Sequence, residues 1–232
     1  KSMRDHHIDL CGQIDFTRAE AMPLLAREAH FSFACNGCGD CCRQRRDLVL
    51  SGYDLYRIAR RLSLPPRIVA AAFCKSYLAP ESCLPALRLT PDPKTGNCRF
   101  FEGSACTIHA ARPLACALYP LGQSIDTVTA QTEYYVQTPL CGARAGEART
   151  LQDYLQDSAV LDRAGVDARW AIVCTQLSHR LQAAGGTDNP RFSAAVRRME
   201  RALYYDYELG DDFYPQFCQN IEILMPLLDR ML

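Results

Sequence analysis

Cysteine is where this sequence concentrates its chemistry. Four of the 13 cysteines fall within the run Cys35-Asn-Gly-Cys38-Gly-Asp-Cys41-Cys42. Two residues between successive thiols let the chain turn each sulfur back toward one centre, a spacing shared by zinc sites and by the bacterial ferredoxin run. Gly37 and Gly39 admit positive φ, so the backbone can curl around an ion and aim N–H groups at sulfur. The pattern points to a metal without saying which.

Side chains on neighbouring residues usually diverge, so Cys41 and Cys42 do not readily share one small ion. Either one of them is spare or there are two centres. Cys98, Cys106, Cys116 and Cys141 complete the candidate ligand set with Cys35, Cys38, Cys41 and Cys42. Tetrahedral zinc and a cubane cluster each take four sulfurs. The expectation is two four-sulfur sites, or one such site beside a reactive second one.

Charge agrees with this reading. Arg43, Arg45, Arg46, Arg99 and Arg112 lie beside the thiols, although the chain carries 26 basic and 26 acidic residues. Such arginines lower thiol pKa values and screen an anionic centre, or hold the carboxylate or phosphate of a substrate, and Arg112 is the candidate for binding a cofactor. His109 is the one histidine amid the cysteines, a candidate fifth ligand or proton donor that reads more simply as a hydrogen-bonded wall. Cys11, Cys74, Cys83, Cys174 and Cys218 read as small apolar residues. Tyr204, Tyr205 and Tyr207, at helical spacing, read as packing. Structural zinc contributes about 10–16 kcal/mol in peptides, as much as the roughly 5–15 kcal/mol stability of a domain, so stripping metal should unfold the cysteine-rich part.

The elements that must position these thiols are mostly helical. Asp15 to His30 reads as a helix kinked or started at Pro23 that delivers the chain to the cysteines. Ser51 caps a second helix to about Leu62, with Asp54 in the capping-box place. Ser63, followed by Pro65 and Pro66, opens a third, with Ile68, Val69, Ala72 and Phe73 on its apolar side. Leu87–Thr90 and Cys98–Phe101 flank Pro91–Gly96 as a hairpin, and 125–138 is rich in strand formers. Beyond Thr150 the period is helical: Val166, Trp170, Val173, Leu177 and Leu181, then Phe192, Val196, Met199 and Leu203, then Phe213, Phe217, Ile221, Leu224 and Leu228. Asn189 and Asp211 or Asp212 are the expected caps, and Pro226 should bend the last helix.

The balanced charge removes any global field for nucleic acid or an anionic membrane, so neither is an expected partner. No apolar run approaches the roughly 20 residues needed to cross a bilayer, and the N-terminal residues lack a signal-peptide plan. A cytoplasmic location follows as the expectation, and with it reduced thiols that serve as ligands rather than disulfides.

Three further stretches make the pattern recognisable: Gly96-Asn-Cys98-Arg-Phe-Phe, Cys106-Thr-Ile-His109-Ala-Ala-Arg112-Pro113-Leu-Ala-Cys116 and Leu118-Tyr119-Pro120. With the first run they resemble the bacterial CxxCxxCC cysteine-cluster family, described as zinc- or iron-chelating, over about Phe31 to Gly146. Flagellin lysine N-methylases look like distant members, and Tyr205-Asp206 to Gln216 is similar to the tail of some members. The resemblance implies iron–sulfur or zinc held by cysteine. His109 stands where a tyrosine is often seen, so no role of that tyrosine transfers. No glycine-rich strand–loop–helix marks an S-adenosylmethionine site.

The reading that results is a mainly α fold with small β-hairpins: a metal-organised cysteine domain over 1–150 and a helical region over 151–232. Its leading function is an iron–sulfur protein, with a 4Fe–4S cluster preferred over zinc, acting in electron transfer or within a protein-modification reaction. A redox partner or a protein substrate is the implied partner. The alternatives are a methyltransferase using S-adenosylmethionine and a zinc-stabilised interaction module.

Overall fold

The structure, a computed structural model, describes residues 24–33, 38–43, 48–137 and 148–232. It is mainly helical, with short antiparallel strands. The first described elements are strands, not the end of a helix. β1 (Leu24–Leu25) and β2 (His30–Ser32) are separated by a turn in which the Ala29 N–H donates to Ala26. Their backbones find partners far along the chain, β1 on β9 (Thr132–Val136) and β2 on β10 (Ala148–Thr150). Long-range pairing overrides the local helical pattern here, and the rest of the expected Asp15–His30 helix lies outside the described residues.

β3 (Val49–Leu50) leads into α1 (Gly52–Leu62), which begins where its sequence says it should. The Ser51 hydroxyl accepts the Asp54 N–H at 3.1 Å and the Asp54 carboxylate accepts the Ser51 N–H at 3.1 Å, a complete capping box. α2 (Pro66–Phe73) starts on its proline, whose missing N–H would have had no helical partner; Ser63 instead ends α1 in the left-handed conformation, and the buried side of α2 carries Val69 and Ala70 while Ile68 and Ala72 are exposed. It runs directly into β4 (Cys74–Leu78), which pairs with β5 (Pro85–Leu89). β5 also pairs with β3, making a three-stranded sheet with β5 at its centre. The strand partners of β5 are therefore β3 and β4. The expected hairpin survives only as a tight turn closed by the Pro91–Cys98 bridge.

Next come β6 (Phe101–Glu102), β7 (Ala105–Cys106), α3 (Leu114–Leu118) and β8 (Leu121–Ile125). β8 pairs with β9, realising the strand expected in 125–138. Thr150 caps α4 (Leu151–Asp157), which the sequence reading did not resolve. The remaining helices follow the apolar periodicity: α5 (Ala164–Ala183), α6 (Phe192–Glu200) and α7 (Phe213–Met231). Pro226 lies inside α7, and a π-helical turn, Arg201–Tyr205, continues α6.

Apolar side chains gather in two clusters. The larger joins Leu55, Ile58, Val69 and Leu87 to Trp170, Val173, Leu177, Phe217, Ile221 and Leu228, so it draws on α1, α2 and β5 as well as α5 and α7. The smaller holds Phe33, Leu114, Leu118, Leu121, Tyr134, Leu151 and Leu155. α3 contributes to both: Leu114, Ala117 and Leu118 to the smaller, Ala115 and Cys116 against the larger. No helix among the described residues is long and apolar enough to cross a membrane.

Candidate metal centre

The centre begins with one turn of backbone. Gly39 takes φ +75°, and Asp40–Cys42 form a single 3-10 turn in which the Cys42 N–H donates to the Gly39 carbonyl at 2.9 Å. Only glycine adopts that φ readily. The position is restricted a second time, because the Phe101 ring occupies the place a Cβ would need. Arg43 covers the same ring, its guanidinium 5.5 Å from the centroid, and pairs loosely with Asp40 at 3.8 Å.

The second stretch is tied to the first by backbone. The Cys98 N–H donates to the Cys42 carbonyl at 2.8 Å. Asp92 shapes the turn ahead of Cys98, its carboxylate accepting the N–H groups of Lys94 and Thr95 at 3.0 and 2.8 Å. These bonds hold its carboxyl below the usual range, the Thr95 bonds most strongly. Phe101 then donates to the Cys98 carbonyl at 3.0 Å and stands opposite Cys106 in the β6–β7 hairpin.

From Cys106 to Cys116 the chain is held by α1. Arg57 donates to the Ala110 carbonyl at 2.7 Å and reaches the Arg112 carbonyl at 3.5 Å. Asp54 accepts the Leu114 N–H at 3.0 Å, at the first residue of α3. Asp54 also takes an ion pair at 2.8 Å from Arg163, which binds Asp167 through two further contacts of 2.6 and 2.8 Å. All three side chains are buried. Burial works against the charge on Arg163, but the two carboxylates outweigh it and push its pKa up.

These connections bring thiols together. Cys42 bonds to the Cys41 side chain, and the Cys116 and Cys98 thiols lie within electrostatic reach of it. The Cys41 bond, burial and the like charge of those neighbours together drive the Cys42 pKa far above the ordinary thiol value. Burial raises the Cys106 pKa, against the opposing pull of the Ile108 N–H and Arg112, and Cys41 lies within electrostatic reach of it. Cys38 stands at the edge of the smaller cluster, while Cys98, Cys106 and Cys116 border the larger. Cys35 and Cys141 lie outside the described residues, as do Arg45 and Arg46.

Thiols that suppress one another's ionisation are thiols from which a soft cation can displace protons, and sulfur donors favour zinc or iron over magnesium or calcium. The donor set therefore fits a zinc or iron centre. Among the described residues, however, no three Cys, His, Asp or Glu side chains are grouped to hold one ion as they stand. The sulfurs share a neighbourhood rather than a single small coordination shell.

The other candidates sort by contact. His109 is exposed and its ring nitrogens lie 3.1 and 2.7 Å from Arg112 Nη1, so Arg112 is its partner. Burial, then the Arg112 charge, lowers the His109 pKa. Arg99 reaches the Ala72 carbonyl at 2.8 Å. Cys174 is fully buried, whereas Cys74, Cys83 and Cys218 keep some exposure. Tyr204 and Tyr207 are core residues. His30 is exposed on strand β2 rather than on a helix. Sequence reading had seen Asp54 only as a cap; its second role at Leu114, and Arg57, carried no local signal. The Arg163–Asp167 pair did, as an i,i+4 couple.

A scaffold that gathers several thiols from separate stretches, with arginine and glycine at its turns, defines a cysteine-cluster metal-chelating domain. Residues 34–142 match the family model CxxCxxCC, described as “putative zinc- or iron-chelating domain”. No curated protein and no solved structure shows significant similarity to the chain, so the likeness to flagellin lysine N-methylases rests on the motifs alone.

Proposed function

We propose that the chain is an iron–sulfur protein whose cluster ligands, four to a cluster, are drawn from Cys38, Cys41, Cys42, Cys98, Cys106 and Cys116, with Cys35 and Cys141. The observation that carries this is the gathering of thiols around Cys42, with Cys41 hydrogen-bonded to it and Cys98 and Cys116 within electrostatic reach. Zn–S bonds of about 2.3 Å require four sulfurs within roughly 4 Å of one another. A cluster binds each cysteine through a different iron, so its ligands stand farther apart. Sulfurs that feel one another electrostatically while, among the described residues, no three are grouped on a single point suit the larger object.

A bound cluster would supply one-electron chemistry. The chain's own part is to hold the sulfurs in place, to offset their negative charge with Arg43 and Arg112, and to keep the centre half-buried. The partner is a redox protein or a protein substrate. Purification under anaerobic conditions tests the reading: a brown protein with broad visible absorption, iron and acid-labile sulfide in equal amounts, and a paramagnetic signal on reduction is the expected result. A colourless protein with stoichiometric zinc would replace it with a zinc scaffold. Folded protein lacking both metals would end it.

A further inference from the structure

The grip of α1 on the Cys106–Cys116 segment goes beyond support of a fold. Asp54 and Arg57 stand one helical turn apart and take hold of opposite backbone polarities. Arg57 donates to the Ala110 and Arg112 carbonyls, and Asp54 accepts the Leu114 N–H. Between them they fix both ends of the Arg112–Pro113 link that separates the turn after Cys106 from the helix carrying Cys116. Asp54 is 2 % exposed and further anchored by Ser51 and Arg163, so its carboxylate cannot follow the loop if the loop moves.

We propose that Asp54 and Arg57 are positioning residues for the thiol centre: they set the distance of the Cys116 thiol from Cys42 and Cys106, and thereby the rate at which the centre gives up its metal. This rests on the metal reading of the same cysteines. The neighbouring ion pair supplies a control, because Asp167 holds Arg163 as firmly as Asp54 does, through two bonds to the guanidinium, whereas it is Asp54 that accepts the Leu114 N–H.

The test compares Asp54→Asn and Arg57→Met with Asp167→Asn and Ser51→Ala. An asparagine has one carbonyl oxygen where three donors now converge on a carboxylate, so the Leu114 bond or a neighbour is lost. Metal transfer from the purified protein to a chromogenic chelator is timed, and urea midpoints are measured alongside. Asp54→Asn and Arg57→Met are expected to release metal about tenfold faster, roughly the effect of one hydrogen bond to a charged group. Asp167→Asn and Ser51→Ala lose urea resistance but release metal at the parent rate. Arg57→Lys, which keeps one donor, falls between Arg57→Met and the parent. Release rates that simply follow the urea midpoints across all variants, or that stay at the parent value in Arg57→Met, overturn the proposal.

A second readout needs no metal. In protein as purified, with no chelator added, iodoacetamide labelling of Cys116 relative to buried Cys174, read by peptide mass spectrometry, should rise in Asp54→Asn and Arg57→Met only. Unchanged labelling overturns the proposal. Should the parent protein carry neither iron nor zinc, the metal reading fails while this labelling still decides the positioning claim.

Discussion

Gly39 and Gly103 form a matched pair that isolates how the Cys38–Cys42 turn is held. Both have positive φ, +75° and +61°. An alanine Cβ at 103 would meet nothing within 4 Å, whereas at 39 it would lie 3.2 Å from Phe101 Cε1 and closer still to Cζ and Cε2. Gly103→Ala therefore carries only the left-handed strain, about 1–2 kcal/mol. Gly39→Ala carries the same strain plus overpacking of about 1–3 kcal/mol, a total of roughly 2–5 kcal/mol. Urea unfolding of the two variants, followed by far-ultraviolet circular dichroism, gives the difference directly. Adding Phe101→Ala to Gly39→Ala should recover the overpacking share and leave the strain. Metal content should fall in Gly39→Ala and hold in Gly103→Ala, since only the first displaces the turn bearing Cys41 and Cys42. Losses that agree within about 0.5 kcal/mol would show that Phe101 is not seated on Gly39, and the account of this turn would be refuted.

Gly52→Ala is expected to destabilise by about 3 kcal/mol or more, because its Cβ would press on the Leu203 carbonyl oxygen and lie 2.7 Å from Trp170 Cζ3, and backbone cannot step aside as a side chain can; fluorescence of the one tryptophan reports the transition. Arg163→Met should cost about 3–5 kcal/mol in thermal unfolding, as it strands Asp54 and Asp167 without their shared cation; a loss below about 1 kcal/mol would deny that cluster a structural role. Burial pushes the Cys74 thiol from 9.0 up to about 12. The folded chain thus keeps a proton that the unfolded chain gives up, so this contribution is complete below the ordinary thiol pKa and is lost as pH rises through about 12. Metal-free protein should lose about 1.4 kcal/mol per pH unit from this group between those values, and Cys74→Ala should remove that slope from urea titrations at pH 9 to 11. Chelation should raise amide exchange in 38–43 and 98–118 well before α5 and α7; uniform exchange across the chain would argue that the thiols hold no metal of structural weight.

Much of this was legible before any coordinates. Cap and period signals are local, so α1, α2, α5, α6 and α7 could be read from residues such as Ser51, Asp54, Pro66 and Trp170. The cysteine spacing identified the metal-chelating class for the same reason: ligand type and local turn chemistry sit within a few residues. What was not legible depends on partners distant in sequence. β1 and β2 read as helix because their partners, β9 and β10, lie about a hundred residues on. The Arg99 bond to the Ala72 carbonyl at the end of α2 joins residues 27 apart and had no local signal either. Asp54 was visible as a cap because that bond spans three residues, and invisible at Leu114 because that bond spans sixty.

The location of the thiols gives the centre its leverage. α3 has only the residues Leu114–Leu118, too short to be stable alone. Leu114, Ala117 and Leu118 commit it to the smaller apolar cluster, and Ala115 and Cys116 to the larger. Cys38 borders the first cluster and Cys98 and Cys106 the second, so a metal drawing on all of them would cross-link two bodies of apolar packing through the element they share. Burial alone cannot do this, because apolar contact is non-directional and would let α3 slide between its neighbours. Directional ties are what fix it, and the described chain supplies them from α1: one carboxylate on Leu114 and one guanidinium on the carbonyls of Ala110 and Arg112. Metal on the thiols and Asp54 with Arg57 on the backbone would then hold the same short segment, and weakening either grip should be felt at the other.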